Sequence, residues 1–305
     1  MVSLDESKII DREAEAEIFN RMLLFETPRR ILVVSDQSGM GKSDVLRKLR
    51  YLCEYTHGVP AALLDLRELE SRPDVFRLVV SLRNALADGG ASFPTFDALN
   101  QARRDHDRSR FQQGSPSLRG IVDMAGAQVS DSAKVAGTMT VIEQPGQVYL
   151  GQPQWTDDDE TEARSTCVEG FLKDLLDCSR DQPAVVLFDT VDKAGENIQR
   201  WLFLELIIKR LLPTREDRRL IVVLAGQGVA EMLSDRLRPT DRECIEPIAS
   251  LSKWNQHHVA EFLAVHGFNG LKDQEIGVIH DLLQVNYTLA QALVFAQTLA
   301  EMRHP

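Results

Sequence analysis

Four short, largely apolar runs separated by helix-period stretches constrain the fold of this chain more than any other feature. They are ILVVS (31–35), PAALLDL (60–66), AVVLFD (184–189) and LIVVLAG (220–226). A strand with one wet face alternates polar and apolar residues. These runs do not alternate, which suits strands covered on both faces. The segments between them have a different period. Asp11 to Phe25 repeats Ile18, Phe19, Met22, Leu23 and Phe25 at helical spacing, and Lys42 to Tyr55 repeats Val45, Leu46, Leu49 and Leu52. Pro73-Asp74 opens a helix over Val75 to Leu86, closed by Gly89-Gly90. Val168 to Leu176, Ile198 to Leu212 and Ala230 to Leu237 are further helices, and CIEPIASL (244–251) reads as a fifth strand. Strands alternating with helices imply βαβ units, hence an α/β fold with a three-layer parallel sheet.

Two regions depart from this alternation. From Ser92 to Glu162 the periodicity fails: QARRDHDRSRFQQGSPS is polar and charged, and TDDDETE is an acid run. Between them, Val135, Met139, Val141, Val148 and Leu150 suggest a hairpin around Pro145-Gly146. The expectation is a mobile insertion at about 92–162, because long irregular stretches are uncommon inside compact domains. From Gln256 onward the chain reads as helices alone, giving a small all-α domain over 252–305. The expected division is a helical segment at 1–28, an α/β domain at 29–251 and this C-terminal domain.

Composition narrows the function. Net charge is −11, which argues against a surface dedicated to nucleic acid, whose binding draws on Lys and Arg. The clusters Arg103 to Arg110 and Arg215 to Arg219 are at most local patches. No apolar run approaches the roughly 20 residues of a membrane span, and the acidic N-terminus lacks a signal-peptide core. Cys53, Cys167, Cys178 and Cys244 show neither CxxC nor Cys/His ligand spacing. The expectation is a cytoplasmic protein without disulfides or zinc.

The chemistry concentrates after the first strand. Asp36-Gln37-Ser38-Gly39-Met40-Gly41-Lys42-Ser43 resembles the phosphate-binding pattern GxxxxGK[ST], and it lies between a predicted strand and a predicted helix. Gly39 and Gly41 let backbone N–H groups converge on a phosphate without Cβ obstruction. The helix opening near Lys42 turns its positive end toward the same anion. Ser38 to Asp44 are thus the candidate nucleotide cradle, with Lys42 on the β- and γ-phosphates and the Ser43 hydroxyl on Mg²⁺. Asp36 stands where the pattern has its first glycine. A carboxylate there is unhelpful beside a polyphosphate and puts turnover in more doubt than binding.

AVVLFDTVD supplies the second element: an apolar strand ending in Asp189, which would hold Mg²⁺ through water. Asp192 lies just past the strand end and is the candidate for orienting an attacking water. Gln227 follows the fourth strand and would reach the γ-phosphate if that strand lies between the first and third. Arg215, Arg218 or Arg219 is a candidate arginine finger acting on a neighbouring subunit.

Together these segments resemble the STAND-type signalling NTPases and the related AAA+ ATPases. IIDREAEAEIFNRML is similar to the segment that precedes the phosphate loop there, which implies that Ile10, Asp11 and Arg12 face the adenine. LFDTVD is similar to the STAND Walker B, with its second acid three positions on, and LSKWNQHHVAEFLAVHGF to the start of the family's helical lid. The chain departs from the family at Gln227, where an arginine is usual, and at Asn286-Tyr287-Thr288, where a Gly-x-Pro lid motif is usual. The resemblance implies ATP and Mg²⁺ as ligands and a slow, Mg²⁺-dependent ATPase acting as a nucleotide-dependent switch. Self-association or a separately encoded effector is the expected partnership. Two alternatives stand beside it: a nucleotide-binding scaffold without turnover, and an ATP-dependent DNA-binding protein of the origin-recognition AAA+ type.

Overall fold

The computed structural model describes residues 12–36, 40–69, 74–113, 143–144, 147–148, 157–251, 254–284 and 289–303. Five strands form one parallel sheet: β1 Ile31–Val34, β2 Ala61–Asp65, β3 Ala184–Asp189, β4 Leu220–Ala225 and β5 Ile245–Ile248. Their spatial order is β2-β3-β4-β1-β5. All of β1, β3 and β4 is buried, as their continuous apolar runs require. Among the described residues β5 pairs only with β1, and it carries Pro247, a residue an edge strand tolerates because one side of its backbone needs no ladder donor.

Helix α1 (Glu13–Leu23) puts Phe19, Met22 and Leu23 into the core on one face of the sheet, and α2 (Lys42–Tyr51) adds Val45, Leu46 and Leu49. They meet Leu32, Val34, Val185, Leu187, Ile221 and Val223. The alternate residues Ile31, Val33, Val186, Phe188, Val222 and Leu224 are fully buried on the other face. Complete burial of such side chains contributes about 1.5–3 kcal/mol each. α2 runs on through wider turns at Leu52–His57, and α3 spans Val75–Asp88 with Asp74 accepting the Phe76 N–H as its cap.

The chain divides into two compact units, residues 1–93 with 172–305 and residues 94–171. The second corrects an expectation. Both ends of the stretch read as irregular from Ser92 to Glu162 are helical, as α4 (Pro94–Gln113) and within α5 (Asp157–Cys178). Over 94–106, where its side chains are described, α4 buries Phe96 and Asn100 alone, and the charged run from Arg103 onward shows no apolar period. Arg, Gln and Ala favour helix without one. Pairs one turn apart assist, Gln101 with Asp105 at 2.8 Å and Arg164 with Glu160 at 2.6 Å. Phe96 meets Phe171 edge-on, with ring centroids 6.2 Å apart. The acid run TDDDETE opens α5, where negative charge complements the helix dipole. A two-residue antiparallel ladder pairs Glu143–Gln144 with Gln147–Val148 around the expected turn. The rest of 114–156 lies outside the described residues.

In the first unit, α6 (Glu196–Arg200) continues through wider turns over Trp201–Leu211, and α7 spans Val229–Ser234. Three helices close the chain: α8 Gln256–Val265, α9 Asp273–Gln284 and α10 Leu289–Arg303. They have their own small core of Trp254, Val259, Phe262, Leu263, Ile279, Ala292 and Ala296. Among the described residues, no helix is long and apolar enough to cross a membrane.

Candidate functional site

The C-terminal ends of β1, β3 and β4 and the N-terminus of α2 converge on one spot, the place where parallel sheets put their ligands. Gly41 precedes α2 with φ +87°, a left-handed conformation that a side chain would strain. Lys42 opens the helix and its Nζ donates to the Asp36 carbonyl at 2.6 Å. Burial holds the Lys42 ammonium below its ordinary range, and the Asp36, Asp192 and Asp189 carboxylates pull it back upward. Ser43 Oγ donates to Asp189 Oδ2 at 2.5 Å, so β3 and α2 are joined at their facing ends.

The Asp36 carboxylate accepts the Leu251 N–H at 2.9 Å. The residue that replaces the first glycine of the pattern therefore ties this loop to the segment just past β5. Ser38 and Gly39 of the expected cradle lie outside the described residues, as do Ile10, Asp11 and Asn286-Tyr287-Thr288. The Met40 carbonyl accepts from Arg12 Nη2 at 3.1 Å, and the buried Arg12 guanidinium lies 5.8 Å from the Trp254 ring centroid. Asp44 is paired with Arg47 at 2.6 Å on the exposed helix surface, its carboxylate engaged within its own helix.

Asp189 is buried. Its Oδ1 accepts the Thr190 N–H at 2.8 Å, so both carboxylate oxygens are held. Asp192 Oδ1 accepts the Gln227 N–H at 3.1 Å, and its Oδ2 lies 3.6 Å from Lys193 Nζ. Asp192 thereby clamps the loop after β4 to the loop after β3. Gly226 makes the approach possible, since a Cβ there would sit 2.5 Å from Asp192 Oδ1 and 2.7 Å from Val229 Cγ2. Gly226→Ala is expected to push Asp192 aside and lower stability by about 1–3 kcal/mol. Chemical denaturation of the purified variant checks this.

β4 does lie between β1 and β3, the condition set for Gln227. Its side chain is exposed, and the contact seen is made by its backbone. The arginine-finger candidates precede β4, at the end of the strand opposite the site. Each is engaged: Arg215 with Asp241 at 3.7 Å, Arg218 with Asp177 at 3.6 Å and Arg219 over the Phe25 ring at 5.5 Å.

Sequence reasoning missed Asp65 and Thr190. Asp65 ends β2 directly beside Asp189 in register, and it accepts from the Thr190 hydroxyl. It also binds Arg67, with Nη2 to Oδ2 at 2.9 Å. Burial works to raise the Asp65 pKa, but the hydrogen bonds from Arg67 and Thr190 hold it below its ordinary value. The available signal was an Asp near the end of the expected strand PAALLDL, as Asp189 ends AVVLFD.

The donor set fits a hard divalent cation with a phosphate. Ser43 Oγ and Asp189 Oδ2 lie together as hard oxygen donors that could serve such a cation, and among the described residues no group of three or more His, Cys, Asp and Glu could hold a metal alone. Mg²⁺ is held in this way, by one or two protein oxygens and otherwise by phosphates and water.

No family model matches this chain, and no curated protein does. Among solved structures it is similar to the ORC2 protein of Aeropyrum pernix in ADPNP-ADP complexes, at 13% identity and a TM-score of 0.43 over 92% of this chain and 56% of that one. It is also similar to CDC6P from Pyrobaculum aerophilum, at 11% identity and a TM-score of 0.44 over 91% and 58%. The ADP form of the same ORC2 protein matches at 12% identity and a TM-score of 0.45 over 88% and 56%. The chain thus spans little more than half the length of these structures.

Proposed function

We propose that this chain binds ATP with Mg²⁺ at the mouth of its sheet and works as a nucleotide-dependent switch, as a STAND- or AAA+-type module would. One observation carries the reading: Lys42, Ser43 and Asp189 meet where β1, β3 and the N-terminus of α2 converge. In this reading Lys42 supplies the cation for the β- and γ-phosphates. Ser43 and Asp189 hold the oxygen-loving metal, which when bound neutralises phosphate charge. Asp192, beside Lys42 and joined to the loop after β4, positions water or reports the phosphate to that loop. Arg12, held between the Met40 carbonyl and Trp254, stands on the base side.

A second reading, binding without turnover, is favoured by the occupation of Asp192. Its Oδ1 holds Gln227 and its Oδ2 faces Lys193, while Thr190, which cannot serve as a base, directly follows Asp189. Phosphate release separates the two. The switch reading expects slow release that Asp192→Ala abolishes, and the scaffold reading expects tight binding with no release in either protein.

Charge makes a separate prediction. Three carboxylates, Asp36, Asp189 and Asp192, act on the single ammonium of Lys42. A triphosphate entering without metal meets net repulsion from these groups. Removing Mg²⁺ with EDTA is therefore expected to weaken ATP binding by at least about tenfold, equivalent to roughly 1.4 kcal/mol. A fluorescent ATP analogue titrated with and without Mg²⁺ measures it, and equal affinities would count against the proposed site.

A further inference from the structure

Thr190 is one of two non-glycine residues described with positive φ, at +54°. A β-branched residue in this conformation is strained and persists only where its surroundings hold it. Three contacts do so here, one of them from the Thr190 hydroxyl to the Asp189 carbonyl oxygen at 2.8 Å. The Thr190 N–H donates to Asp189 Oδ1 at 2.8 Å, and its hydroxyl donates to Asp65 Oδ1. Asp65 is in turn fixed from the other side by Arg67, whose Nε lies 3.2 Å and Nη2 2.9 Å from Oδ2, and by the Arg67 N–H on Oδ1 at 3.0 Å. The result is an unbroken chain across the ends of adjacent strands: Arg67, Asp65, Thr190, Asp189, Ser43.

Asp189 therefore does not aim itself. One oxygen is pinned by the Thr190 amide, and the hydroxyl of the same residue is anchored on Asp65 of β2 as well as on the Asp189 carbonyl. We infer that Asp65 is a positioning residue for the metal-facing carboxylate and acts through Thr190. This rests on the proposed reading of Asp189. Partners that orient metal ligands in this way commonly change metal affinity about 10–100-fold when removed.

The test uses the full chain and a fluorescent ATP analogue, titrated with Mg²⁺ and separately with excess EDTA. The variants are Thr190→Val, Thr190→Ser, Asp65→Ala, Asp65→Asn and Asp189→Asn. Thr190→Val keeps the branched shape and the backbone amide and loses only the hydroxyl. It and Asp65→Ala are expected to raise the Mg²⁺ concentration for half-maximal binding about tenfold, with affinity in EDTA unchanged. Thr190→Ser is expected to match wild type, and Asp65→Asn, which keeps an acceptor oxygen, to recover most of what Asp65→Ala loses. Unaltered Mg²⁺ dependence in Thr190→Val and Asp65→Ala, with a clear shift in Asp189→Asn, would overturn the inference and leave the site reading standing. Unaltered dependence in Asp189→Asn would overturn the site reading itself. If Thr190→Val fails to fold, the Asp65→Ala and Asp65→Asn pair gives the same comparison.

Discussion

Replacing Lys42 with alanine is expected to weaken ATP binding by roughly 100-fold or more, because truncating one partner of a desolvated charge pair costs about 2–5 kcal/mol. Two features place Lys42 at the high end. It is partly buried, where its attraction for phosphate is poorly screened, and its ammonium is held by the Asp36 carbonyl at 2.6 Å, so little ordering remains to be done on binding. The loss is also electrostatic. Without the ammonium, the Asp36, Asp189 and Asp192 carboxylates would lose a cation on which all three act. Isothermal titration measures the affinity, and thermal unfolding gives an independent readout. A ligand at 100 times its dissociation constant stabilises the folded state by about 2.7 kcal/mol. Wild type should show that increment with Mg-ATP, and Lys42→Ala at the same concentration about 0.4 kcal/mol or less. An undiminished increment in the variant would place the nucleotide elsewhere.

Phe188→Ala is expected to have the largest effect on the fold itself, destabilising it by about 3–5 kcal/mol, as buried Phe truncations do. Phe188 is fully buried on the next-to-last position of β3, in register with Leu64 on β2 and Leu224 on β4. No neighbouring strand can slide in to fill its volume without breaking that register. For a chain of this size the unfolding midpoint should fall by roughly 10 °C. Differential scanning calorimetry checks it. A loss below about 1 kcal/mol would mean that this face of the sheet is packed loosely enough to collapse, contrary to dense interiors.

The strands were readable from the chain because ILVVS, AVVLFD and LIVVLAG are long enough and apolar enough to leave no other use for them. β1, β3 and β4 start where those runs start. Lys42, Ser43 and Asp189 were readable for a related reason: a glycine turn between strand and helix, and an acid closing a strand, are local patterns. α4 was missed because it buries few side chains, and amphipathic periodicity cannot flag a helix without an apolar stripe. The partnership of Asp65 with Thr190 spans 125 positions, and that of Asp192 with the Gln227 amide spans 35. Both depend on which strands are neighbours. A single sequence carries that information only through the finished topology, so Asp192 was readable as an acid near the site and its role as a clamp was not. Gly226 was likewise visible only as the last residue of LIVVLAG, because the reason for it, the approach of Asp192, lies in the loop after another strand.

Asp36 divides its polar groups between two masters. Its carbonyl holds the lysine that would meet the phosphates, and its carboxylate holds the Leu251 amide, three residues before Trp254 begins the core of the C-terminal helices. A ligand that engages the Lys42 ammonium acts on the residue whose carbonyl holds it and on which Leu251 hangs. Coupling of this kind runs equally in both directions. If nucleotide moves the segment after β5, then a protein gripping the last three helices must alter nucleotide affinity by the same factor that nucleotide alters its own. In the proposed reading, Asp36 would then be the point through which the nucleotide site and the last three helices act on one another.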